Sequence, residues 1–154
     1  MSEALAINGG TPVRTEPFPT WPVFGDEEER LLIEVLKSGK WGKIDGDQVT
    51  RFEKTFAEYH QAKHALGVVN GTTGLRLALL AMGIEAGDEV IVPPFTFIAT
   101  ASAVIEANAT PVFADLDLDT FNIDPAAVEK AVTGRTKAII AVHLGGLPAK
   151  MDAL

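Results

Sequence analysis

The chain has 154 residues, of which 47% are apolar and 22% charged, values that are ordinary for one globular domain. Its formal net charge is −8 and its basic residues form no cluster, so we expect neither nucleic acid nor an anionic membrane surface as a partner, because both are bound through Lys and Arg. The absence of cysteine, of a secretory signal and of an apolar run near ~18 residues predicts a cytoplasmic protein without disulfides.

Residues 1–25 are predicted to form an extended N-terminal arm. The segment holds four prolines and shows neither helical nor strand periodicity. It also carries three large aromatic side chains, Phe18, Trp21 and Phe24. We therefore expect the arm to pack against protein, either its own domain or a partner subunit.

Two amphipathic helices are predicted next. Asp26 is expected to cap the first, whose acidic first turn suits a helix start better than a metal site, and Gly39 is expected to end it. The second follows a loop at residues 41–47 and carries an apolar stripe that we expect to be core: Val49, Phe52, Phe56 and Tyr59. His60 and His64 lack a third ligand nearby, and we predict no metal site.

From residue 65 onward, strands and helices alternate. Strands are predicted to start near Ala65, Glu89, Pro111 and Lys137, with helices between them at residues 72–82, 96–107 and 125–132. The strands are continuous apolar runs, as expected when helices cover both faces of a sheet. This order predicts an α/β fold with a mostly parallel sheet and crossover helices.

Right-handed crossovers place every turn that follows a strand at the carboxyl edge of a parallel sheet, where ligands of such folds bind. We therefore expect residues 70–74, 93–96, 115–120 and 143–147 to gather there. The last helix is predicted to begin at Pro148 and is cut short by Leu154, from which we expect a truncated chain.

The turn Gly71-Thr72-Thr73-Gly74 opens the first of these helices. First-turn N–H groups have no partner within the helix and the dipole is positive there, so the turn fits a phosphate site as well as an ordinary strand-to-helix turn. It matches neither standard nucleotide-binding glycine motif. Phe97, in the next turn, is placed either to stack on a planar ring or to fill the core under the following helix.

Three further polar residues lie at this edge. Asp115 and Asp117 fit either a carboxylate pair or a turn, and we favour the turn. His143 fits either a residue that orients a ligand or a hydrogen-bonded structural histidine, and we favour the structural role.

Several segments, taken in order, resemble the DegT/DnrJ/StrS aminotransferases, which depend on pyridoxal 5′-phosphate and have fold type I. They are Val69-Asn70-Gly71-Thr72-Thr73-Gly74-Leu75, Gly87-Asp88-Glu89-Val90-Ile91-Val92-Pro93, Thr96-Phe97-Ile98-Ala99-Thr100, Pro111-Val112-Phe113-Ala114-Asp115 and Asn122-Ile123-Asp124-Pro125. The arm and Gly39-Lys40-Trp41 resemble the branch of cyclitol aminotransferases and 3-amino-5-hydroxybenzoate synthase.

The resemblance implies that residues 26–154 are the N-terminal portion of the large, cofactor-binding domain. It implies that Gly71, Thr72 and Thr73 hold the cofactor phosphate and that Phe97 stacks on the pyridine ring. Gly74 departs from the alanine usual in the family, which loosens the helix start by roughly 0.5–1 kcal/mol. Asp47 replaces a proline of many sugar aminotransferases.

In the family, the lysine that binds the cofactor covalently lies further along the chain than Leu154, so we assign no catalytic residue and expect this chain alone to be inactive. The implied activity of the full protein is transamination of a keto-sugar or keto-cyclitol with an amino-acid donor, in a homodimer. The alternatives are a dehydratase of the same family, in which histidine replaces that lysine, and a non-catalytic α/β module that binds a phosphorylated ligand.

Overall fold

The computed structural model describes residues 4–154. They form two compact units, the first ending at Ala65 and the second running from Leu66 to Leu154. The first unit contains a short 3₁₀ turn, Ala6–Asn8, and two helices, α1 (Asp26–Ser38) and α2 (Gln48–Tyr59). The second contains α3 (Gly71–Ala81), β1 (Glu89–Val92), α4 (Ala99–Glu106), β2 (Thr110–Phe113), α5 (Pro125–Ala131) and β3 (Thr136–Ile139). Two 3₁₀ turns, Leu144–Gly146 and Met151–Ala153, follow β3. No helix within these residues has both the length and the apolar character needed to cross a bilayer.

Within residues 4–25 the chain forms the 3₁₀ turn Ala6–Asn8 and neither an α-helix nor a strand. Residues 1–3 lie outside the described part of the chain, and the extended arm at residues 1–25 stays a prediction. Phe18 is 78% exposed and Trp21 is 90% exposed. The Arg14 guanidinium lies 4.4 Å from the centre of the Phe18 ring, but the described residues do not bury these aromatics. The expectation that the arm packs against protein, either its own domain or a partner subunit, therefore stays a prediction.

The helix α1 begins one residue away from the predicted cap. Gly25 occupies the cap position, and its N–H donates to Oε2 of Glu28 at 2.8 Å, which satisfies one backbone group at the helix start. This hydrogen bond lowers the pKa of Glu28. The helix ends at Gly39, whose φ of +69° is the left-handed conformation that glycine adopts without strain.

The predicted core stripe of α2 is wrong. Phe52, Phe56 and Tyr59 are 57%, 45% and 82% exposed, whereas only Ala57 of this helix is buried. The stripe has the spacing of a buried face, but no element of the first unit covers it. Helical periodicity identifies the face that would be buried and says nothing about whether a covering surface is present.

The second unit is built on a three-stranded parallel sheet in the order β2-β1-β3, which confirms the predicted fold class. The central strand β1 pairs with β2 from Glu89↔Thr110 to Val92↔Phe113 and with β3 through Ile91↔Ile139. All four residues of β1 are buried. This double cover explains why the strand reads as an uninterrupted apolar run after Glu89.

Helices pack on both faces of the sheet. Val90 and Val92 point to the face where they form one apolar cluster with Leu79 of α3 and Val104 of α4. Ile91 points to the other face, where it clusters with Ala114, Ile123 and Val128, the last from α5. Alternation along β1 therefore divides the core into two layers.

The amino edge of the sheet is fixed by a buried carboxylate. Glu89 is 5% exposed and bonds to the guanidinium of Arg135, with Nε to Oε1 at 2.9 Å, and to the hydroxyl of Thr133. The Thr133 hydrogen bond and then Arg135 lower the pKa of Glu89. Because a buried charge is tolerated only when it is paired, this cluster holds the starts of β1 and β3 together, away from the edge where the site is predicted.

The strand predicted at residues 65–69 is wrong. These residues have no strand pairing in the described chain, and Leu66 and Val69 are 69% and 85% exposed. Both sides of β1 are already taken by β2 and β3, and an extended segment becomes a strand only where a neighbour accepts its N–H and C=O groups. The local sequence favours the strand, but the partner is missing.

The chain end also differs from the prediction. No helix begins at Pro148, and residues 151–153 form a single 3₁₀ turn. A helix needs more than one turn of bonded backbone to offset its nucleation cost.

Candidate functional site

Three of the four turns that were predicted to gather do so at the carboxyl edge of the sheet. The rings of Phe95 and Phe121 lie 6.2 Å apart and join the turn after β1 to the loop after β2. The Asn122 side chain joins that loop to the turn after β3, because its Nδ2 donates to the Leu147 carbonyl and its Oδ1 accepts the Leu144 N–H, both at 3.0 Å. The parallel arrangement is the cause, since the three strands end at the same edge.

The fourth turn forms the start of α3, and it has the features of an anion site. Asn70 caps the helix, with its Oδ1 accepting the Thr73 N–H at 2.9 Å. The N–H groups of Gly71 and Thr72 lie in the first turn, where no carbonyl of the helix reaches them. The positive end of the helix dipole lies at the same point. Two backbone donors are therefore available to a ligand, and the third predicted donor, the Thr73 amide, is used by the cap.

The same turn has room for a ligand. A Cβ built on Gly71 meets no atom within 4 Å, so the backbone there is open to solvent. The hydroxyls of Thr72 and Thr73 have no hydrogen-bond partner within residues 4–154, and both side chains are only half-buried. Gly71, Thr72 and Thr73 thus fit the phosphate of a cofactor by donor type and by access.

Phe97 does not lie in the core. Its side chain is 77% exposed, and its carbonyl accepts the Thr100 N–H at 3.0 Å at the start of α4. The alternative in which Phe97 fills the space under this helix is wrong. The backbone of Phe97 is hydrogen-bonded at the carboxyl edge of the sheet and its ring is exposed, so the ring is suited to stack on a planar ligand.

Asp115 and Asp117 serve turns, as favoured. Oδ1 of Asp117 accepts the N–H groups of Asp119 and Thr120 at 3.0 and 3.1 Å, and its Oδ2 lies 2.7 Å from Nζ of Lys150. Lys150, and after it the Thr120 and Asp119 amides, lower the pKa of Asp117 to about 2, while Asp117 raises the pKa of Lys150. Oδ1 of Asp115 accepts the adjacent Leu116 N–H. A carboxylate with a pKa as low as that of Asp117 stays ionised near neutral pH and is unsuited to acid–base exchange there.

His143 is hydrogen-bonded, as favoured, and remains accessible. Its Nδ1 accepts the Ala149 N–H at 3.0 Å, and the residue is exposed. Asn122, by contrast, is 4% exposed, and the sequence analysis gave its side chain no functional role. Nothing in the sequence around Asn122 indicates that its side chain bonds to Leu144, which lies 22 residues further along the chain.

A cleft in the first unit lies apart from these residues. It has a volume of about 560 Å³ and is lined by α1, the following loop and the start of α2, including Lys40, Asp45 and Arg51. None of the predicted cofactor residues lines it. Within the described chain, no hydrogen bond or ring contact joins Thr72 or Thr73 to Phe97, so their common role in one cofactor site stays a prediction.

Residues 22–154 match the model of the DegT/DnrJ/EryC1/StrS aminotransferase family. The chain is 49% identical over 159 aligned residues to the L-glutamine:2-deoxy-scyllo-inosose aminotransferase of Streptomyces paromomycinus, an alignment that covers all of this chain and 38% of the relative. The chain therefore spans little more than a third of that relative's length.

Two solved structures are similar. The crystal structure of 3-amino-5-hydroxybenzoic acid synthase superposes on this chain with a TM-score of 0.86 at 48% sequence identity. The superposition covers 91% of this chain and 36% of the synthase chain. NtdA from Bacillus subtilis, solved with bound cofactor PMP, superposes with a TM-score of 0.80 at 35% identity and covers 91% and 33%.

Proposed function

The chain belongs to the DegT/DnrJ/EryC1/StrS aminotransferase family, and from this membership we propose that it forms part of a pyridoxal-phosphate-dependent aminotransferase of the relatives' full length. The enzyme transfers an amino group from an amino acid to a keto-cyclitol or keto-sugar. The relative from S. paromomycinus is named for L-glutamine and 2-deoxy-scyllo-inosose, which supports L-glutamine as the donor and a keto-cyclitol as the acceptor.

The open N-terminus of α3 carries this proposal. The Gly71 and Thr72 amides and the Thr72 and Thr73 hydroxyls offer four donors to one phosphate, and the end of the helix dipole adds to their attraction. A charge at a helix N-terminus is typically stabilised by ~0.3–1 kcal/mol, and by up to ~2 kcal/mol when partly buried. The hydrogen bonds to a charged oxygen add about 1.5–3 kcal/mol each.

Phe97 orients the cofactor ring in this proposal. Offset stacking contributes about 0.5–1.5 kcal/mol beyond the area that it buries, which is too little to hold a cofactor without the phosphate. The bound pyridoxal phosphate supplies an electron sink that delocalises negative charge on the substrate carbon. The residues of this chain contribute by holding the phosphate and by covering one face of the ring.

The test measures how tightly the enzyme of the relatives' full length binds pyridoxine 5′-phosphate. This probe has the ring and phosphate of the cofactor but no aldehyde to react with lysines. We expect Thr72→Ala to weaken binding in calorimetry by about tenfold, the equivalent of one charge-assisted hydrogen bond. Thr50→Ala is the matched control, because Thr50 lies in α2 with an exposed side chain. Phe97→Leu should weaken binding by about 2- to 10-fold, against the control Phe18→Leu, which is equally exposed at 78%.

Two results would contradict the proposal. Unchanged affinity in Thr72→Ala would remove the phosphate assignment. Affinity that falls with Thr72→Ala but not with Phe97→Leu would keep the anion site and refute the stacked ring, which favours a module that binds phosphorylated ligands in general.

We further propose that the enzyme is a cytoplasmic homodimer. The exposed apolar side chains of the arm, α1 and α2, among them Trp21, Leu32 and Phe52, support cover by protein beyond the described residues. Light scattering after size exclusion on a protein of the relatives' full length measures the mass, and a monomer at micromolar concentration would refute the dimer.

A further inference from the structure

The imidazole of His143 has one nitrogen bonded to the backbone and the other without a hydrogen bond within the described residues. Nδ1 accepts the Ala149 N–H at 3.0 Å, whereas Nε2 has no hydrogen-bond partner among residues 4–154. The residue is exposed, and it follows β3 at the carboxyl edge of the sheet. The structural role is therefore served by one side of the ring only.

The bond to Ala149 fixes where the proton of the neutral ring lies. A backbone N–H can only donate, so Nδ1 must present its lone pair, and the proton of neutral imidazole then resides on Nε2. His143 in this state offers a single donor, and the atom that carries it faces away from the bond to Ala149 across the ring. Because the bond at Nδ1 fixes the proton on Nε2, the Nε2–H group is pre-organised to donate to an acceptor on a ligand.

The position of this donor is also fixed. The Ile140 N–H donates to the Ile91 carbonyl at 2.9 Å, which continues the pairing of β3 with β1 beyond the end of the strand. On the other side of His143, the Leu144 N–H is held by Asn122. The turn after β1 carries Phe97, so His143 and Phe97 follow the ends of two neighbouring parallel strands.

We infer that the Nε2–H of His143 donates a hydrogen bond to an oxygen of the molecule that stacks on Phe97. The inference rests on the proposed function and extends it by one binding residue. Two oxygens have the required chemistry, the ring hydroxyl of the cofactor and a carbonyl or hydroxyl oxygen of the keto-cyclitol. His143 binds and orients that oxygen, while the turn that it closes through Ala149 keeps the ring in place.

The first test needs no ligand. In the ¹⁵N spectrum of the histidine-labelled chain near pH 8.5, where free histidine is neutral, the proton of His143 is expected on Nε2. A proton on Nδ1 would overturn the inference, because the bond to Ala149 could not then exist.

The second test separates the two sides of the ring. Asparagine carries an acceptor close to the position of Nδ1 and nothing at Nε2, so His143→Asn retains a partner for the Ala149 N–H and removes the ligand donor. His143→Gln places an amide donor near Nε2. His64→Asn is the control, since His64 is exposed in the first unit. Hydrogen exchange at the Ala149 amide reports whether the turn is intact in each variant.

We expect His143→Asn to bind ligand about 3- to 10-fold more weakly than the wild type, the loss of one hydrogen bond, with the Ala149 amide still protected and with partial recovery in His143→Gln. A loss that occurs with pyridoxine 5′-phosphate and disappears with its 3-deoxy analogue identifies the cofactor hydroxyl as the acceptor. A loss confined to scyllo-inosose, added to the complex with pyridoxine 5′-phosphate, identifies a substrate oxygen.

Unchanged affinity of His143→Asn for both probes would overturn the inference while the proposed function stands, provided that Thr72→Ala weakens binding. A weaker His143→Asn that has also lost Ala149 protection, together with near-normal affinity in a His143→Gln that has lost this protection too, would support the inference, because affinity would then follow the donor and not the turn. Loss of affinity in every variant that loses protection, and in no other, would show a purely structural histidine. A wild type that does not bind pyridoxine 5′-phosphate would refute the proposed function and this inference together.

Discussion

Replacing Asn122 with leucine removes both hydrogen bonds that fasten the turn after β3 to the loop after β2. The side chain is 4% exposed, and it satisfies the Leu144 N–H and the Leu147 carbonyl at 3.0 Å each. Leucine has a similar volume and no polar atom, so Asn122→Leu tests the hydrogen bonds without opening a large cavity.

The expected loss follows from the exposure of the two backbone groups. A typical hydrogen bond within a protein contributes about 0.5–1.5 kcal/mol net, and a buried group left unpaired costs about 1–3 kcal/mol. Leu147 is 50% exposed, so its carbonyl can turn to water at little cost. Leu144 is half-buried, and its N–H carries most of the penalty. We expect the free energy of unfolding of the second unit to fall by about 1–3 kcal/mol.

Native-state hydrogen exchange is the appropriate assay, because both tryptophans lie in the first unit and their fluorescence would not report on the sheet. The slowest amides of β1 measure the global opening of the second unit, and the Leu144 amide measures the turn. Glu129→Leu, which adds the same side chain at an exposed position of α5, should stay within about 0.5 kcal/mol. A Leu144 amide that remains protected in Asn122→Leu, with unchanged exchange in β1, would refute the assigned role of Asn122.

Three more changes have defined outcomes. Because the pKa of Asp117 is lowered from 3.8 to about 2, its contribution to folding stability is complete above pH ~4 and is lost as the pH falls towards 2. Acid titration monitored by circular dichroism should therefore show a shallower loss of stability in Asp117→Asn, which also releases Lys150. An unchanged slope would contradict the ion pair. Gly74→Ala should stabilise α3 by about 0.5–1 kcal/mol in urea unfolding, since the added Cβ would meet Cγ2 of Val68 at 3.5 Å, an ordinary contact; destabilisation would show that the helix start is strained. Ile91→Ala should cost about 2–5 kcal/mol, because Ile91 is fully buried at the centre of the sheet, and a cost under 1 kcal/mol would mean that this layer of the core can collapse around the gap.

Much of the second unit could be predicted from local pattern. The helix expected at 72–82 is observed as Gly71–Ala81, and the strand expected to start at Glu89 does start there. Gly83, which follows this helix, adopts the left-handed conformation with φ of +81° that glycine favours just after a helix end. The boundaries of these elements depend on residues close in sequence, namely cap residues, apolar spacing and glycine. They can therefore be predicted from the amino-acid sequence.

Other features could not be predicted because they depend on contacts between distant residues. Sequence periodicity gave α2 and residues 65–69 the pattern of buried elements, yet neither finds a covering surface or a neighbouring strand in the described chain. The role of Asn122 and the pairing of Lys150 with Asp117, 33 residues apart, likewise follow from loops that meet only after the sheet has formed.

The sequence by itself determined the alternating helices and strands from Gly71 to Ile139 and the turn chemistry at the start of α3, because these depend on interactions within a few residues, and their order predicted the parallel α/β class. The tertiary structure decided which of those elements are covered, left Phe97 exposed instead of buried, and fixed the tautomer of His143 through Ala149. Burial and side-chain hydrogen bonds between loops depend on where strands end in space, and that placement follows from the pairing of β1 with both of its neighbours.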